Sequence, residues 1–212
     1  YTANNKALAG NLEKLSSGYR INSAADDAAG LAISEKMRSQ IKGLEKAQDN
    51  CNDGISLVQT AEGALTEVNS MLTRLTELAT QSANGTYEDN TDRANIQAEV
   101  DQILEEVDRI ANNTNFNGIN LLDGSLTTNK LKLQIGPTGK DASNEGEMIE
   151  LAVADMTATG IGINGISLAT QDGARAAIET IKTAVNTVSS ERGKLGALQN
   201  RLDHTINNLA AT

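Results

Sequence analysis

The sequence predicts a mainly α protein: an elongated antiparallel helical bundle or coiled coil carrying one small β-hairpin. Three observations predict it. Aromatic residues are scarce, with three Tyr, one Phe and no Trp in 212 residues, whereas large rings dominate the burial of most wide globular cores. Apolar residues recur at steps of three, four and seven over long distances, the spacing of a helical seam. Two short runs near the middle alternate apolar and polar residues strictly, the period of a strand, and the single Pro, Pro137, lies between them.

The elements follow in chain order. Residues 7–15 read as a short helix that Ser16-Ser17-Gly18 breaks, with a non-helical linker near 16–25. Asn22 to Asp27 then supply several capping side chains. From there Met37, Ile41, Leu44, Cys51, Ile55, Val58, Leu65, Val68, Leu72, Leu75 and Leu78 trace one continuous seam without a Pro. A helix over 26–83 would extend roughly 85 Å at 1.5 Å per residue. Asn84-Gly85-Thr86-Tyr87-Glu88 is too short for anything but an antiparallel return, and Asp89 or Thr91 would cap the next helix. That helix, 92–111, places Ile96, Val100, Ile103, Val107 and Ile110 on one face. Asn117-Gly118 and Asp123-Gly124 are tight-turn dipeptides. Leu131 to Ile135 and Ile149 to Val153 are the alternating runs, an antiparallel hairpin capping one side of the helices. The last helix carries Ile178, Ile181, Val185, Val188, Leu195, Leu198, Leu202, Ile206 and Leu209 along one face. The predicted division is 1–25 as a helix remnant and linker, 26–113 as the long helix and its return, 114–167 as the hairpin region, and 168–212 as the final helix of the same core.

Charge and composition exclude several classes. A net charge of −10 argues against a nucleic-acid or anionic-membrane surface, both of which need basic patches. No apolar run approaches the roughly 20 residues of a bilayer span, so no membrane insertion is expected. Tyr1-Thr2-Ala3-Asn4-Asn5-Lys6 has neither an initiator Met nor the regions of a secretory signal, as expected of a trimmed chain. One cysteine cannot form an intrachain disulfide and leaves the redox compartment open.

No catalytic set assembles. His204, the one imidazole, occupies a polar step of the last helix beside Asp203 and reads as a solvated surface residue. Cys51 sits seven residues from both Leu44 and Val58, the place of a small buried hydrophobe. Asp49 to Gly54 begins like a calcium loop, but the third and twelfth places hold Cys51 and Thr60 instead of an Asp or Asn and a Glu. The pair Asp26-Asp27 is better placed to meet the positive end of a helix dipole than to do acid–base work. Glu105, Glu106 and Asp108 read as a solvated helix face. The chain is expected to be no enzyme and to use no cofactor or metal.

Several stretches carry a resemblance. Leu15-Ser16-Ser17-Gly18-Tyr19-Arg20-Ile21-Asn22-Ser23-Ala24-Ala25-Asp26-Asp27-Ala28-Ala29-Gly30 opens it, and Ile41-Lys42-Gly43-Leu44 and the run from Asn52 to Leu65 continue it. Glu77-Leu78-Ala79-Thr80-Gln81-Ser82-Ala83-Asn84, Phe116-Asn117-Gly118 with Leu121-Leu122, Leu133-Gln134-Ile135-Gly136 and Leu195 to Leu202 complete it. Together they resemble the bacterial flagellins over almost the whole chain.

The resemblance implies a structural filament subunit that is exported through the flagellar secretion apparatus with an export chaperone and assembles outside the cell. It implies that polymerisation needs terminal segments before Tyr1 and after Thr212, which pair into an inner coiled coil. It also implies a host partner, the flagellin-sensing Toll-like receptor, whose ectodomain would contact Arg74, Glu77, Leu78 and Gln81 on the long helix and Ile96 and Glu99 on the next. Here Arg74 offers a planar five-donor fork, and Leu78 would fill a shallow receptor pocket as its hot-spot neighbour. Three features depart from the family's pattern: Thr73 and Thr76 replace polar or charged residues often found near that Arg, the variable outer domain is absent, and Cys51 is unusual and able to cross-link dimers in air. The alternatives are the junction protein between hook and filament, against which Ala28-Ala29-Gly30 counts, and a coiled-coil adaptor, which would not account for the hairpin or the residue 16–30 signature.

Overall fold

The computed structural model describes residues 1–25, 27–138 and 147–211. Asp26, half of the predicted dipole-facing pair, and most of the loop between the two alternating runs lie outside the described residues. The architecture is mainly helical: α1 (Thr2–Ser17), α2 (Ala28–Ser82), a π-helical turn (Asp89–Arg93), α3 (Ala94–Asn113), a two-residue ribbon β1 (Asn115–Phe116) and β2 (Ile119–Asn120), the single turn α4 (Ser125–Thr128), the hairpin β3 (Leu131–Gln134) and β4 (Met148–Leu151), and α5 (Gln171–Ala211).

α1 ends where glycine permits it. Gly18 takes φ 74°, and its N–H donates to the Lys14 carbonyl at 3.0 Å, the left-handed C-cap that costs any other residue a Cβ clash. The linker then folds on itself: the Asn22 amide donates to Ser17 Oγ at 2.7 Å, and the Arg38 guanidinium lies 5.5 Å above the Tyr19 ring. Asp27 caps α2, its carboxylate accepting from Gly30 N–H at 2.9 Å.

α2 is 55 residues long and α5 is 41, roughly 80 and 60 Å. They run antiparallel in contact, as Leu202 beside Gly54 and the Arg192–Glu62 ion pair of 3.5 Å require. Leu65, Val68, Leu72 and Leu75 from α2, Ile181, Val188 and Leu195 from α5, and Val100 and Val107 from α3 form one elongated core. Much of the seam is small: Ala61 and Ala79 on α2 and Ala174, Ala177 and Ala184 on α5 are buried, and they let the helix axes approach closely.

One prediction fails in packing although it holds in pattern. The seam predicted to run unbroken from Met37 is covered only above Ala47: Ile33, Met37 and Ile41 are 55–59% exposed. The cause is geometric: Met37, Ile41 and Leu44 line an open groove with Ile135, Pro137 and Leu209, which cover this stretch only in part. A second correction concerns the return. Neither Asp89 nor Thr91 caps the helix; Asp92 Oδ2 accepts from Glu88 N–H at 3.1 Å, and Asp89 is engaged by Arg93 at 2.5 Å.

The hairpin pairs Leu131 with Leu151 and Gln134 with Met148, and lies on α2 through two glycines eleven residues apart. A Cβ at Gly43 would stand 2.7 Å from Pro137 Cβ, and one at Gly54 2.7 Å from Leu133 Cδ1. Eleven residues are about three helical turns, so the two gaps share one face and form a track for the hairpin. Asn50 fastens it, donating to the Gln134 carbonyl at 2.9 Å. Beneath it Cys51, Ile135, Ile149 and Leu202 form a second small core. The irregular segment 152–170 is held by side chains of three helices: Glu191 accepts from Ala154 N–H at 3.1 Å, Asp108 from Ala158 N–H at 2.7 Å, and Gln97 from Leu168 N–H at 2.6 Å, while Ser82 Oγ donates to the Leu168 carbonyl at 2.6 Å. Asp108 is therefore a loop anchor and not part of a merely solvated face.

Candidate functional site

The outer face formed by α2 and α3 carries the densest ordered polar surface among the predicted residues. Arg74, 50% exposed, donates from Nε to Glu99 Oε1 at 2.8 Å and from Nη1 to Glu77 Oε2 at 3.0 Å. The hydrogen bond that Arg74 donates to Glu99, then that to Glu77, raises the Arg74 pKa above its already high ordinary value. Because Glu99 belongs to α3 and Glu77 to α2, the guanidinium bridges two helices and its plane is fixed by both. Gln81 lies one turn above Glu77 and donates to the Tyr87 hydroxyl at 3.2 Å. The face thus brings together Arg74, Glu77, Gln81 and Glu99.

It does not include the two predicted apolar members. Leu78 is 1% and Ile96 7% exposed. Leu78 falls three residues after Leu75 on the buried seam, and Ile96 four before Val100 on the inner stripe of α3, so both point into the core and form the floor of the face. The surface depression is elsewhere. A groove of about 710 Å³ runs beside Glu77 and Gln81, lined by Thr73, Thr76, Thr80, Tyr87 and Val185. The hydroxyls of Thr73, Thr76 and Thr80 donate to their own helix carbonyls four residues back, at 3.0, 2.9 and 2.8 Å, which leaves the groove mainly apolar.

What sets the height of α3 against α2 is Arg93, which sequence reasoning missed. It is 4% exposed and donates to the carbonyls of Ser82 and Asn84, each at 2.8 Å, to that of Tyr87, and to Asp89 Oδ1. One side chain closes the end of α2, the connecting turn and the start of α3. The one available signal was an arginine placed immediately before an amphipathic helix, which equally suits a surface residue.

The residues considered for chemistry stay apart. His204 is exposed on α5, and Cys51 is fully buried with its thiol pKa pushed up by desolvation. Glu105 is exposed, and Glu106 pairs with Arg109, whose hydrogen bond holds its carboxyl below the usual range. Among the described residues no three His, Cys, Asp or Glu side chains converge as metal ligands, and no helix is long and apolar enough to cross a membrane.

A rod of side-by-side helices, with long polar flanks and an ion-paired outer face, is the form of an assembly subunit. Comparison with known proteins names the class. Residues 1–127 match the bacterial flagellin N-terminal helical region, and residues 178–212 the bacterial flagellin C-terminal helical region. The chain is 46% identical to the flagellin of Bacillus subtilis over 100% of its own length and 78% of that protein, and 50% identical to the flagellin of Halalkalibacterium halodurans over 93% and 70%. It is 45% identical to a flagellar filament core protein of Treponema maltophilum over 94% and 72%. The crystal structure of Bacillus cereus flagellin superposes with a TM-score of 0.64 at 32% identity, covering 76% of this chain and 88% of that one. A hook-associated protein structure from Vibrio parahaemolyticus, with a TM-score of 0.70 at 15% identity over 89% and 95%, shares the fold alone. The chain belongs to the bacterial flagellin family, and its role is that of a structural subunit of the extracellular flagellar filament, which serves motility.

Proposed function

We propose that this flagellin, besides building the filament, is a ligand of the flagellin-sensing Toll-like receptor, and that the receptor meets the outer face of α2 and α3 through Arg74, Glu77, Gln81 and Glu99. The observation that carries the reading is the double clamp on Arg74. An arginine fork whose plane is already held loses little side-chain freedom on binding. It stands beside an apolar groove of a size to take one or two side chains, the pairing typical of hot spots. Leu78 and Ile96 support the face from beneath. In the same reading the chain reaches the outside through the flagellar export apparatus with an export chaperone. A role at the filament, not at the hook junction, is supported by relatives of 40% identity or more that are flagellins and filament core proteins, against 15% for the hook-associated structure.

Equilibrium binding to the purified receptor ectodomain tests the reading. Arg74→Ala is expected to weaken binding by about 2 kcal/mol or more, the loss of a hot spot. Tight binding that ignores Arg74→Ala moves the epitope elsewhere, and no binding by a folded chain removes the receptor role while leaving the filament role intact.

A further inference from the structure

The groove beside Gln81 has two kinds of wall. Thr73, Thr76 and Thr80 come from α2 and Val185 from α5, so the long helices place them. Asn84 and Tyr87 come from the turn that leads out of α2, and its own backbone closures are long. Asn84 N–H donates to the Gln81 carbonyl at 3.2 Å and Tyr87 N–H to the Asn84 carbonyl at 3.4 Å. Gln171 of α5 holds the Ala83 carbonyl at 3.0 Å, just before the residues that line the groove. The tighter hold on those residues is Arg93. Its Nε and Nη2 donate to the Ser82 and Asn84 carbonyls at 2.8 Å each, and its Nη1 to the Tyr87 carbonyl. All three nitrogens are engaged, with Asp89 as countercharge at 2.5 Å.

We infer that Arg93 is a positioning residue of the outer face: it shapes the Asn84–Tyr87 wall of the groove and so sets affinity for the receptor without touching it. The inference rests on the receptor reading above. Arg93 is 4% exposed, so a docked protein meets the turn it holds and not the arginine. From Tyr87 the restraint runs to the surface, because the Tyr87 hydroxyl accepts from Gln81 at 3.2 Å. From Arg93 itself it runs into α3, where Glu99 holds Arg74 Nε at 2.8 Å. Lysine would keep the charge but offers one nitrogen in place of a planar fork. One nitrogen cannot serve the carbonyls of Ser82, Asn84 and Tyr87 together.

Equilibrium binding of the whole chain and of Arg93→Lys to the purified receptor ectodomain tests this, at a temperature where circular dichroism finds both folded. Arg93→Lys is expected to bind about tenfold more weakly, because the wall must then be ordered on binding. An arginine that only stabilised the fold would leave the affinity of folded chains unchanged, and equal affinity overturns the inference. Nuclear magnetic resonance gives a readout that needs no receptor. Solvent exchange of the Gln81 side-chain amide and of Arg74 Nε–Hε should quicken about tenfold in Arg93→Lys. If the parent chain does not bind, the receptor reading falls and these signals alone decide: quickened exchange keeps Arg93 as the shaper of the face, and unchanged exchange overturns it. Tyr87→Phe removes the groove hydroxyl and leaves Arg93 in place, so it decides the question if Arg93→Lys does not fold. It should weaken binding about threefold, the worth of one hydrogen bond, and no loss overturns the inference.

Discussion

The lower turns of α2, residues 28–46, and the upper turns, 47–82, carry the same apolar spacing and have opposite fates. Leu65, Val68, Leu72 and Leu75 are completely buried, whereas Ile33, Met37 and Ile41 are more than half exposed. Both stretches are one regular helix with the same hydrogen-bonded backbone. A heptad pattern states which face of a helix is to be covered; only the register of the neighbouring element states whether it is. The upper half has α5 and α3 against it. The lower half is covered only in part, by the open groove that Met37, Ile41 and Leu44 share with Ile135, Pro137 and Leu209.

The contrast makes its strongest prediction in stability. Leu72→Ala should cost about 2–5 kcal/mol, the range for a buried leucine whose cavity cannot fully collapse. Met37→Ala should stay within about 0.5 kcal/mol, as at other exposed positions. Chemical denaturation of the two variants decides it, and comparable losses would mean that the lower seam is covered in solution. Next in size is a contrast between two arginines. Arg93→Ala strips donors from three backbone carbonyls at the α2–α3 corner and should cost about 1–3 kcal/mol. Arg74→Ala breaks two exposed pairs and should cost under about 1 kcal/mol, although it is the substitution expected to matter most for the receptor. A stability loss at Arg74 equal to that at Arg93 would make the outer face structural.

These cases show what could be read without coordinates. The long helices and the hairpin were legible because periods of 3.5 and 2 persist over many residues, and Cys51 was legible because it occupies a seam step. The candidate face was half legible. Resemblance selected Arg74, Glu77, Gln81 and Glu99, which the structure brings onto one surface, but it also supplied Leu78, which the seam count had already turned inward. Ile96 failed for the same reason, since its own stripe on α3 faces the core. Arg93 was illegible because its role is made by three carbonyls, and carbonyls have no sequence. The alanines and glycines of the seam were passed over because counting Leu, Ile and Val ignores residues whose contribution is the space they leave. Asp108 was misread because an acid on a polar stripe looks solvated until a loop from fifty residues away presents an N–H to it.

Glycine inverts the comparison at a smaller scale. In the exposed lower half, Gly43 is crowded, with the Pro137 ring where a side chain would go. In the buried upper half Gly63 faces open space. Gly63→Ala should therefore stabilise the helix by about 0.5–1 kcal/mol, the propensity difference of an unhindered helical site. Gly43→Ala should forfeit that gain and destabilise by about 1 kcal/mol or more, because a proline ring cannot rotate away. Thermal melts read both signs, and two stabilising substitutions would show that the hairpin sits higher on α2 than the structure places it.

The boundary between the halves can be located by a titration, the smallest effect expected. Cys51 is buried near the lower edge of the covered seam, and desolvation raises its thiol pKa. A raised folded pKa means that the native state holds its proton where the unfolded chain has lost it. Stability from this group is therefore whole below the ordinary thiol value, about 8.5, and declines as the pH rises towards the folded value. The decline is bounded by one proton, about 1.4 kcal/mol per pH unit at its steepest, and it must vanish in Cys51→Ala while other alkaline titrations remain. The difference between the two curves isolates Cys51 from the tyrosines and lysines. A chain whose alkaline stability is the same with and without the thiol would have water at residue 51, and the covered seam would begin a full turn or more higher, closer to Val58.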